Sequence, residues 1–106
     1  MKQITVELLN EITRRIIEKV HPEKVILFGS HAWGAPGESS DLDLFIALSH
    51  SEEPSYRRAR VIYRCLRGIG IPIDVIVQTR AEVERTKGVI TSLARNVLDK
   101  GKVLYG

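Results

Sequence analysis

Three aspartates and a glycine–serine pair are the residues of this sequence whose types and spacing could do chemistry. Gly29 and Ser30 directly follow a short apolar run, and Asp41 and Asp43 form an Asp-x-Asp pair that leads into a second one. A Gly-Ser turn after a strand can present backbone N–H groups and a hydroxyl to a phosphate. Because side chains alternate along a strand, the two aspartates should share one face. Asp74 lies inside a third apolar run.

The three aspartates predict a metal site. Carboxylates that converge on one sheet face repel one another and raise their own pKa values unless a cation neutralises them. Mg²⁺ accepts oxygen ligands and keeps coordination positions open for substrate phosphates. Two such ions about 4 Å apart can activate an attacking oxygen and stabilise a leaving group. The alternative for Asp74 is a salt bridge to an arginine, because an unpaired carboxylate buried in so apolar a strand would be costly.

Apolar periodicity predicts the elements that must position these residues. Apolar residues spaced by four indicate a first helix with Thr5 as its N-cap. Pro72 at the start of the third strand favours an edge position or the beginning of a strand. The predicted strands cover residues 24–28, 41–48 and 71–77. The predicted helices cover residues 5–20, 56–67 after a cap at Ser55, a short stretch opening at the capping box of Thr79 and Glu82, and 89–100.

The alternation of the second strand separates its aspartates from the main core. An all-apolar set should face the helices, so Asp41 and Asp43 should lie on the other face of the sheet. That set is Leu42, Leu44, Ile46 and Leu48. We therefore predict an α/β (α+β) fold, a small mixed sheet of about three strands backed by helices, with residues 1–106 as a single domain. The closing segment 102–105 is expected to be a tail packed on the sheet edge or the helices.

Composition places the chain among ordinary soluble proteins. Its 106 residues are 43% hydrophobic and 27% charged, and its net charge of +3 suits an anionic ligand. Cys65 is the single cysteine, which excludes an intrachain disulfide and a cysteine-based zinc cluster. No apolar run approaches the roughly 20 residues that span a bilayer. We expect a cytoplasmic protein with no membrane partner.

Four arginines form a ridge along the predicted second helix. Arg57, Arg60, Arg64 and Arg67 are spaced at i, i+3, i+7 and i+10, beside the apolar stripe of that helix. A solvated helix face is one interpretation. A contact with nucleic acid, with a nucleotide phosphate or with an acidic partner is the other, and the sequence leaves both open.

Two segments of this sequence resemble the signature of a known superfamily. Leu27-Phe-Gly-Ser30 followed by Ser40-Asp-Leu-Asp-Leu44 resembles the nucleotidyltransferase superfamily that includes DNA polymerase beta. The likeness is strongest to the stand-alone minimal nucleotidyltransferases of bacteria and archaea. It is specific from residue 24 to 48 and looser through Asp74 to residue 105.

The resemblance implies a reaction and a role for each of the five residues. Gly29 and Ser30 would bind the β- and γ-phosphates of a nucleoside triphosphate, with ATP as the expected donor. Asp41 and Asp43 would ligate two Mg²⁺ ions, and Asp74 would complete the catalytic metal site and orient the acceptor hydroxyl. In-line attack on the α-phosphorus would transfer a nucleoside monophosphate, AMP from ATP, to a protein or other hydroxyl and release pyrophosphate.

The resemblance also implies a context, and two loop residues leave alternatives. Many minimal members are encoded beside a helical HEPN partner and act as antitoxins in that toxin–antitoxin pair, some by adenylylating the partner on tyrosine. We expect the same HEPN-type partner here, with a homodimer also open. His31 departs from relatives that often carry arginine or tyrosine after Gly-Ser, and it could contact a phosphate or be a loop residue without that role. Trp33 could stack on a base or anchor its loop.

Two other classes of function compete with the enzyme. The chain could be a non-catalytic antitoxin, a binding module that masks a helical partner, or it could be a nucleic-acid-binding domain that uses the arginine ridge. A nucleotide-sugar transferase fits less well, because 106 residues leave no room for a sugar pocket. For the enzyme, the chain lacks the additional domain that larger relatives use to grip the nucleotide base and the acceptor, so we expect a partner or second subunit to supply that surface.

Overall fold

The computed structural model describes residues 4–29, 41–89 and 92–106, and these form a mixed fold of helices around one sheet. The predicted α+β class is confirmed, but the described residues hold four strands where the sequence predicted about three. The strands are β1 (Lys24–Phe28), β2 (Leu42–Leu48), β3 (Ile73–Thr79) and β4 (Lys102–Tyr105). The helices are α1 (Val6–Val20), α2 (Ser55–Cys65), α3 (Arg80–Thr86) and α4 (Leu93–Lys100).

The sheet has the order β3-β2-β1-β4, so β3 and β4 are its edge strands. β1 runs antiparallel to both β2 and β4, whereas β2 and β3 are parallel. The segment 102–105, which we expected to be a tail, is the strand that pairs with β1. Its four residues are too few to show an alternating pattern, and three of them are exposed at the edge. Tertiary pairing with β1 therefore decides its conformation.

Local capping signals set most of the helix boundaries. The Thr5 side chain accepts a hydrogen bond from the backbone N–H of Leu8 at 3.1 Å, which confirms the predicted N-cap of α1. The capping box of α3 is also confirmed. The prediction for Ser55 was wrong, because Ser55 is the first residue of α2 and Pro54 occupies the cap position without a capping side chain. None of the helices in the described part of the chain is both long and apolar enough to cross a membrane.

The sheet separates a large core from a small one. The apolar set of β2 packs against α1 and α2, as its alternation predicted, and burial of each large side chain contributes about 1.5–3 kcal/mol. Residues of opposite parity face α3 and α4, and Asp43 belongs to this second face. The large core includes Ile12, Ile16, Leu42, Leu44, Ile46 and Ile62, and the small one consists of Ile26, Phe28, Phe45, Ala47 and Val97.

Candidate functional site

The site is built where the parallel strands β2 and β3 begin. Asp43 of β2 is paired in register with Asp74 of β3, so both side chains project from the same face of the sheet. Asp41 directly precedes β2. The backbone N–H of Leu42 donates to the carbonyl oxygen of Pro72 at 3.1 Å, which holds the approaches to the two strands together. The structure thus brings the three predicted aspartates to one end of two neighbouring strands.

Asp74 has an aspartate for its neighbour. Its side chain is exposed on the edge strand with Asp41 as its hydrogen-bonded neighbour, so the alternative of a buried carboxylate in a salt bridge does not describe it. Partial desolvation, and then the hydrogen bond and negative charge of Asp41, raise the pKa of Asp74. Two carboxylates that compete in this way favour a bound proton or a bound cation. The arrangement is electrostatically suited to a cation at this position.

Gly29 lies directly against the Asp43 carboxylate. Phe28, the last residue of β1, pairs with Asp43, and the next residue turns away with φ at +77°. A Cβ atom at Gly29 would overlap Oδ2 of Asp43 and lie 3.2 Å from its Cγ atom. Glycine is the residue that permits both the left-handed backbone and this close approach. The structure therefore joins the two predicted segments through a contact between Gly29 and Asp43.

The remaining predicted phosphate ligand cannot be placed in the same way. Ser30 lies outside the described residues, and so do His31 and Trp33. The proposed roles of these three residues stay predictions. Gly29 is the described member of the Gly-Ser pair.

The donor set of the site fits Mg²⁺, although it does not form a complete cage. Within residues 4–29, 41–89 and 92–106, no three His, Cys, Asp or Glu side chains are grouped closely enough to hold a metal by themselves. Mg²⁺ commonly takes one or two carboxylates and completes its octahedron with water and substrate phosphates. Asp74 lies within hydrogen-bond distance of Asp41 and is paired in register with Asp43. These neighbouring aspartates provide the carboxylate oxygens that Mg²⁺ takes as ligands. The residues fit a metal that binds together with a phosphate substrate.

Family comparison decides which class of protein uses this arrangement. The sequence profile described as nucleotidyltransferase domain matches residues 9–104, which is nearly the whole chain. The chain belongs to the nucleotidyltransferase domain family. Membership of this family makes the protein a transferase. The family match also confirms the resemblance of residues 27–30 and 40–44 to the superfamily signature.

Two relatives are similar to the nucleotidyltransferase over most of its length. A protein of Methanocaldococcus jannaschii, provisionally named a protein adenylyltransferase, is 37% identical over 86 residues, a match that covers 78% of each protein. A crystal structure from Sulfolobus solfataricus, of a protein provisionally described as a nucleotidyltransferase, superposes with a TM-score of 0.60. It covers 92% of this chain and 79% of that one at 22% identity, and so supports the fold alone.

Sequence reasoning missed Arg58, which ties the far end of β3 to two helices. Its side chain is 9% exposed, and its Nη1 atom donates to Oε1 of Glu82 at 2.6 Å and to the carbonyl oxygen of Val77 at 3.3 Å. The same Oε1 atom accepts from the backbone N–H of Thr79 at 2.7 Å, so one carboxylate joins α2, β3 and α3. Arg58 precedes the buried Ile62 by four residues, and this spacing could have placed it on the inner face of α2.

Proposed function

We propose that the nucleotidyltransferase transfers AMP from ATP to a hydroxyl group of a protein acceptor, in the presence of Mg²⁺, and releases pyrophosphate. The observation that carries this proposal is the contact of Gly29 with the Asp43 carboxylate, beside the in-register Asp74. A phosphate-binding turn and a metal-binding carboxylate are then neighbours, as phosphoryl chemistry requires. The name of the relative from Methanocaldococcus jannaschii supports AMP as the transferred group and a protein as the acceptor.

Each residue of the site has a part in the proposed reaction. Asp41, Asp43 and Asp74 would hold Mg²⁺, which when bound neutralises phosphate charge and lowers the pKa of a coordinated hydroxyl. Gly29 and Ser30 bind the β- and γ-phosphates through backbone N–H groups and the serine hydroxyl. Asp74, exposed on the edge strand, orients the acceptor hydroxyl. In the proposed reaction the acceptor attacks from the side opposite the departing pyrophosphate.

The proposed step exchanges one phosphorus–oxygen bond for another. The acceptor oxygen forms a bond to the α-phosphorus, and the bond from the α-phosphorus to the oxygen that bridges to the β-phosphate breaks. That oxygen and its electron pair leave with pyrophosphate, and the hydroxyl proton passes to solvent. The product is an AMP ester of the acceptor.

The open position of the aspartates supports a macromolecular acceptor. Asp41 and Asp74 are exposed, and β3 is an edge strand, so a side chain on another protein can approach them. We extend the proposal to a HEPN-type helical protein as acceptor, with the nucleotidyltransferase as the antitoxin that adenylylates it. This extension rests on the resemblance to minimal nucleotidyltransferases.

A matched pair of aspartate variants tests the reaction. Asp43→Asn removes the carboxylate charge beside Gly29, whereas Asp99→Asn removes an exposed carboxylate of α4 that pairs with Arg95 at 2.7 Å. With ATP labelled at the α-phosphate, Mg²⁺ and the neighbouring gene's product as acceptor, Asp43→Asn should reduce transfer at least about 100-fold. Asp99→Asn should leave transfer unchanged. Transfer by Asp43→Asn at the wild-type rate would show that the assignment is wrong.

A second candidate function is a non-catalytic antitoxin that masks its partner. The observation in its favour is that β3 is an edge strand with Asp74 exposed, a surface that a partner can cover without any reaction. The variant in which Asp41, Asp43 and Asp74 are all alanine separates the two functions. If this variant folds and still protects cells from the partner's toxicity, masking explains the protection, whereas loss of protection together with loss of AMP transfer supports catalysis.

A further inference from the structure

A groove runs along α2 on the far side of the molecule from the aspartates. It has a volume of about 390 Å³ and lies between α2 and the ends of α1 and β2. We call it the α2 groove. Its floor includes Val20, Leu48 and Val61, and its rim includes Arg57, Arg60 and Arg64.

The rim of the α2 groove carries positive charge that the described residues do not neutralise. Arg58 is paired with Glu82, and Arg57 lies 3.5 Å from a carboxylate oxygen of Glu53. Arg60 and Arg64 have no carboxylate partner in the part of the chain that the structure describes, and both are exposed. Three arginines on one helix face, two of them uncompensated, form a surface that attracts an acidic ligand.

Arg67 does not extend this rim. α2 ends at Cys65, so the predicted spacing of i+10 no longer follows a helix at residue 67. The backbone carbonyl of Arg67 instead accepts a hydrogen bond from the Arg15 side chain at 3.1 Å. A smaller cavity of about 210 Å³ continues from Arg64 to Lys19 of α1, so the basic rim turns toward α1 instead.

The floor of the α2 groove is apolar. Val61 lies between the rim arginines along α2. Counted from Arg57, positions i, i+3, i+4 and i+7 are Arg57, Arg60, Val61 and Arg64, and this spacing places all four on one helix face. Val61, Val20 and Leu48 are each partly exposed, and Val20 and Leu48 also pack against the buried core. An apolar strip flanked by cations at helical spacing is complementary to an amphipathic helix with an apolar face and acidic flanks.

We propose that the α2 groove docks an acidic amphipathic helix of a protein partner. Arg57 and Arg64 are seven residues apart, which is about 10 Å along a helix axis, and carboxylates at i, i+3 and i+7 on a partner helix repeat at the same interval. Apolar side chains of that helix cover Val61 and its neighbours. The apolar floor favours a protein segment over a nucleic acid, because phosphates gain nothing from contact with it.

Docking in the α2 groove leaves the aspartate site accessible. Leu48 and Val77 line the groove at the carboxyl ends of β2 and β3, while Asp43 and Asp74 lie near the opposite ends. Leu48 is five residues from Asp43, about 16 Å along the strand. The two sites also face opposite sides of the sheet. The docking proposal does not rest on the transferase reaction, and it is tested without nucleotide.

A synthetic helix provides the probe. A fluorescent peptide of about 18 residues, five turns of helix, carries leucine along one face and glutamate on its flanks. A scrambled peptide of the same composition and a single-stranded oligoribonucleotide are the comparison ligands. Binding is measured by fluorescence anisotropy at physiological salt with wild-type protein and three variants. The variants are Arg60→Glu/Arg64→Glu, Val61→Lys and, as a matched charge reversal outside the groove, Arg85→Glu/Lys100→Glu.

The proposal requires both the rim and the floor to matter. Arg60→Glu/Arg64→Glu should weaken binding of the amphipathic peptide about tenfold or more, since two attractions become repulsions. Val61→Lys should weaken it about fivefold although it adds a positive charge, because the apolar contact is lost. Arg85→Glu/Lys100→Glu should bind within about twofold of wild type. Thermal melting checks the fold of each variant, and Val61→Ser replaces Val61→Lys if the latter does not fold.

Four results would each overturn the proposal. The first is that the amphipathic peptide does not bind, and the second is that the scrambled peptide binds equally well. The third is that the Val61 variant binds the amphipathic peptide as tightly as wild type does. The fourth is that the oligoribonucleotide binds more tightly than the amphipathic peptide and that Val61→Lys strengthens its binding. The last result would assign the surface to nucleic acid. AMP transfer plays no part in the measurement, so failure here and failure of the transferase proposal are distinguishable.

Discussion

Alanine at position 29 would test whether the contact between Gly29 and Asp43 shapes the site. The substitution has two effects that the structure separates. The backbone of Gly29 has φ at +77°, a left-handed conformation that costs a non-glycine residue about 1–2 kcal/mol. The new Cβ atom would also overlap Oδ2 of Asp43. The overlapping atom is the end of a side chain, so we expect rotation of the carboxylate to relieve the overlap.

Gly68 provides the matched control for the backbone effect. Its φ is +89°, but a Cβ atom there would meet nothing within 4 Å. Gly68→Ala therefore introduces left-handed strain without disturbing a neighbour. We expect both variants to lose about 1–2 kcal/mol and to melt about 5–10 °C below wild type. The stability of the two variants should be similar.

The binding of Mg²⁺ and ATP should distinguish them. Displacement of the Asp43 carboxylate in Gly29→Ala removes one edge of the proposed metal site, whereas Gly68→Ala leaves that edge in place. At 100 times its dissociation constant, a ligand stabilises the folded state by about 2.7 kcal/mol. Thermal melting with and without Mg²⁺ and ATP should therefore show this shift for wild type and Gly68→Ala. For Gly29→Ala the dissociation constant should rise at least about tenfold.

Two outcomes would refute this reasoning. If Gly29→Ala binds Mg²⁺ and ATP as tightly as Gly68→Ala, the position of the Asp43 carboxylate against Gly29 has no part in ligand binding. If Gly29→Ala is less stable than Gly68→Ala by more than about 2 kcal/mol, the Asp43 carboxylate does not rotate away. The overlap with the new Cβ atom then destabilises the folded state directly.

Two further predictions concern charge and pH. In EDTA, Asp74→Asn should raise the melting temperature at pH 7 by about 1–4 °C, because a partly desolvated charge beside Asp41 is removed and solvent screens the rest of the effect. A carboxyl whose pKa is raised on folding destabilises the folded state at pH values above its ordinary pKa of 3.8. The gain in melting temperature should therefore vanish below pH 3.8. A gain that persists there would show that the charge on Asp74 is not its cause. Glu82→Gln should cost about 2 kcal/mol at pH 7, because Arg58 keeps a buried charge without its partner. The hydrogen bonds of Thr79 and the ion pair with Arg58 lower the pKa of Glu82, so its contribution is present above 4.5 and is lost as pH falls below that value. Glu84→Gln, which removes an exposed pair on the same helix, should cost under about 0.5 kcal/mol, and equal losses for the two glutamates would count against the buried pair.

Local patterns in the sequence were sufficient for most elements and for the faces of the central strand. The period of four in residues 5–20, the capping box at Thr79 and the alternation of β2 each depend on neighbours within a few residues. For this reason the helices, the main core and the side of the sheet that bears Asp43 were predictable. Segments without a strong local pattern were not. Residues 102–105 become a strand only because β1 offers an edge, and α4 begins later than predicted, at Leu93.

Charge partners were the least predictable part of the molecule. The sequence placed four arginines on a ridge but assigned no role to a fifth, Arg58. The side chain of Arg58 is buried and is paired with Glu82. It left a salt bridge to an arginine as the alternative for a buried Asp74, whereas the edge position exposes Asp74 beside Asp41. Both depend on which residues meet from distant parts of the chain. Helical or strand periodicity gives the direction of a side chain, but it does not specify what lies there.

The sequence by itself was therefore sufficient to place this chain among the nucleotidyltransferases. The types and order of Gly29, Ser30, Asp41, Asp43 and Asp74 indicated phosphate and metal chemistry, because carboxylates and a glycine turn have few other combined uses. Only the tertiary structure decided that β2 and β3 are parallel and in register, which sets Asp43 beside Asp74, and that Gly29 closes on the Asp43 carboxylate. Strand register depends on packing summed over the whole core, and no local segment carries that information.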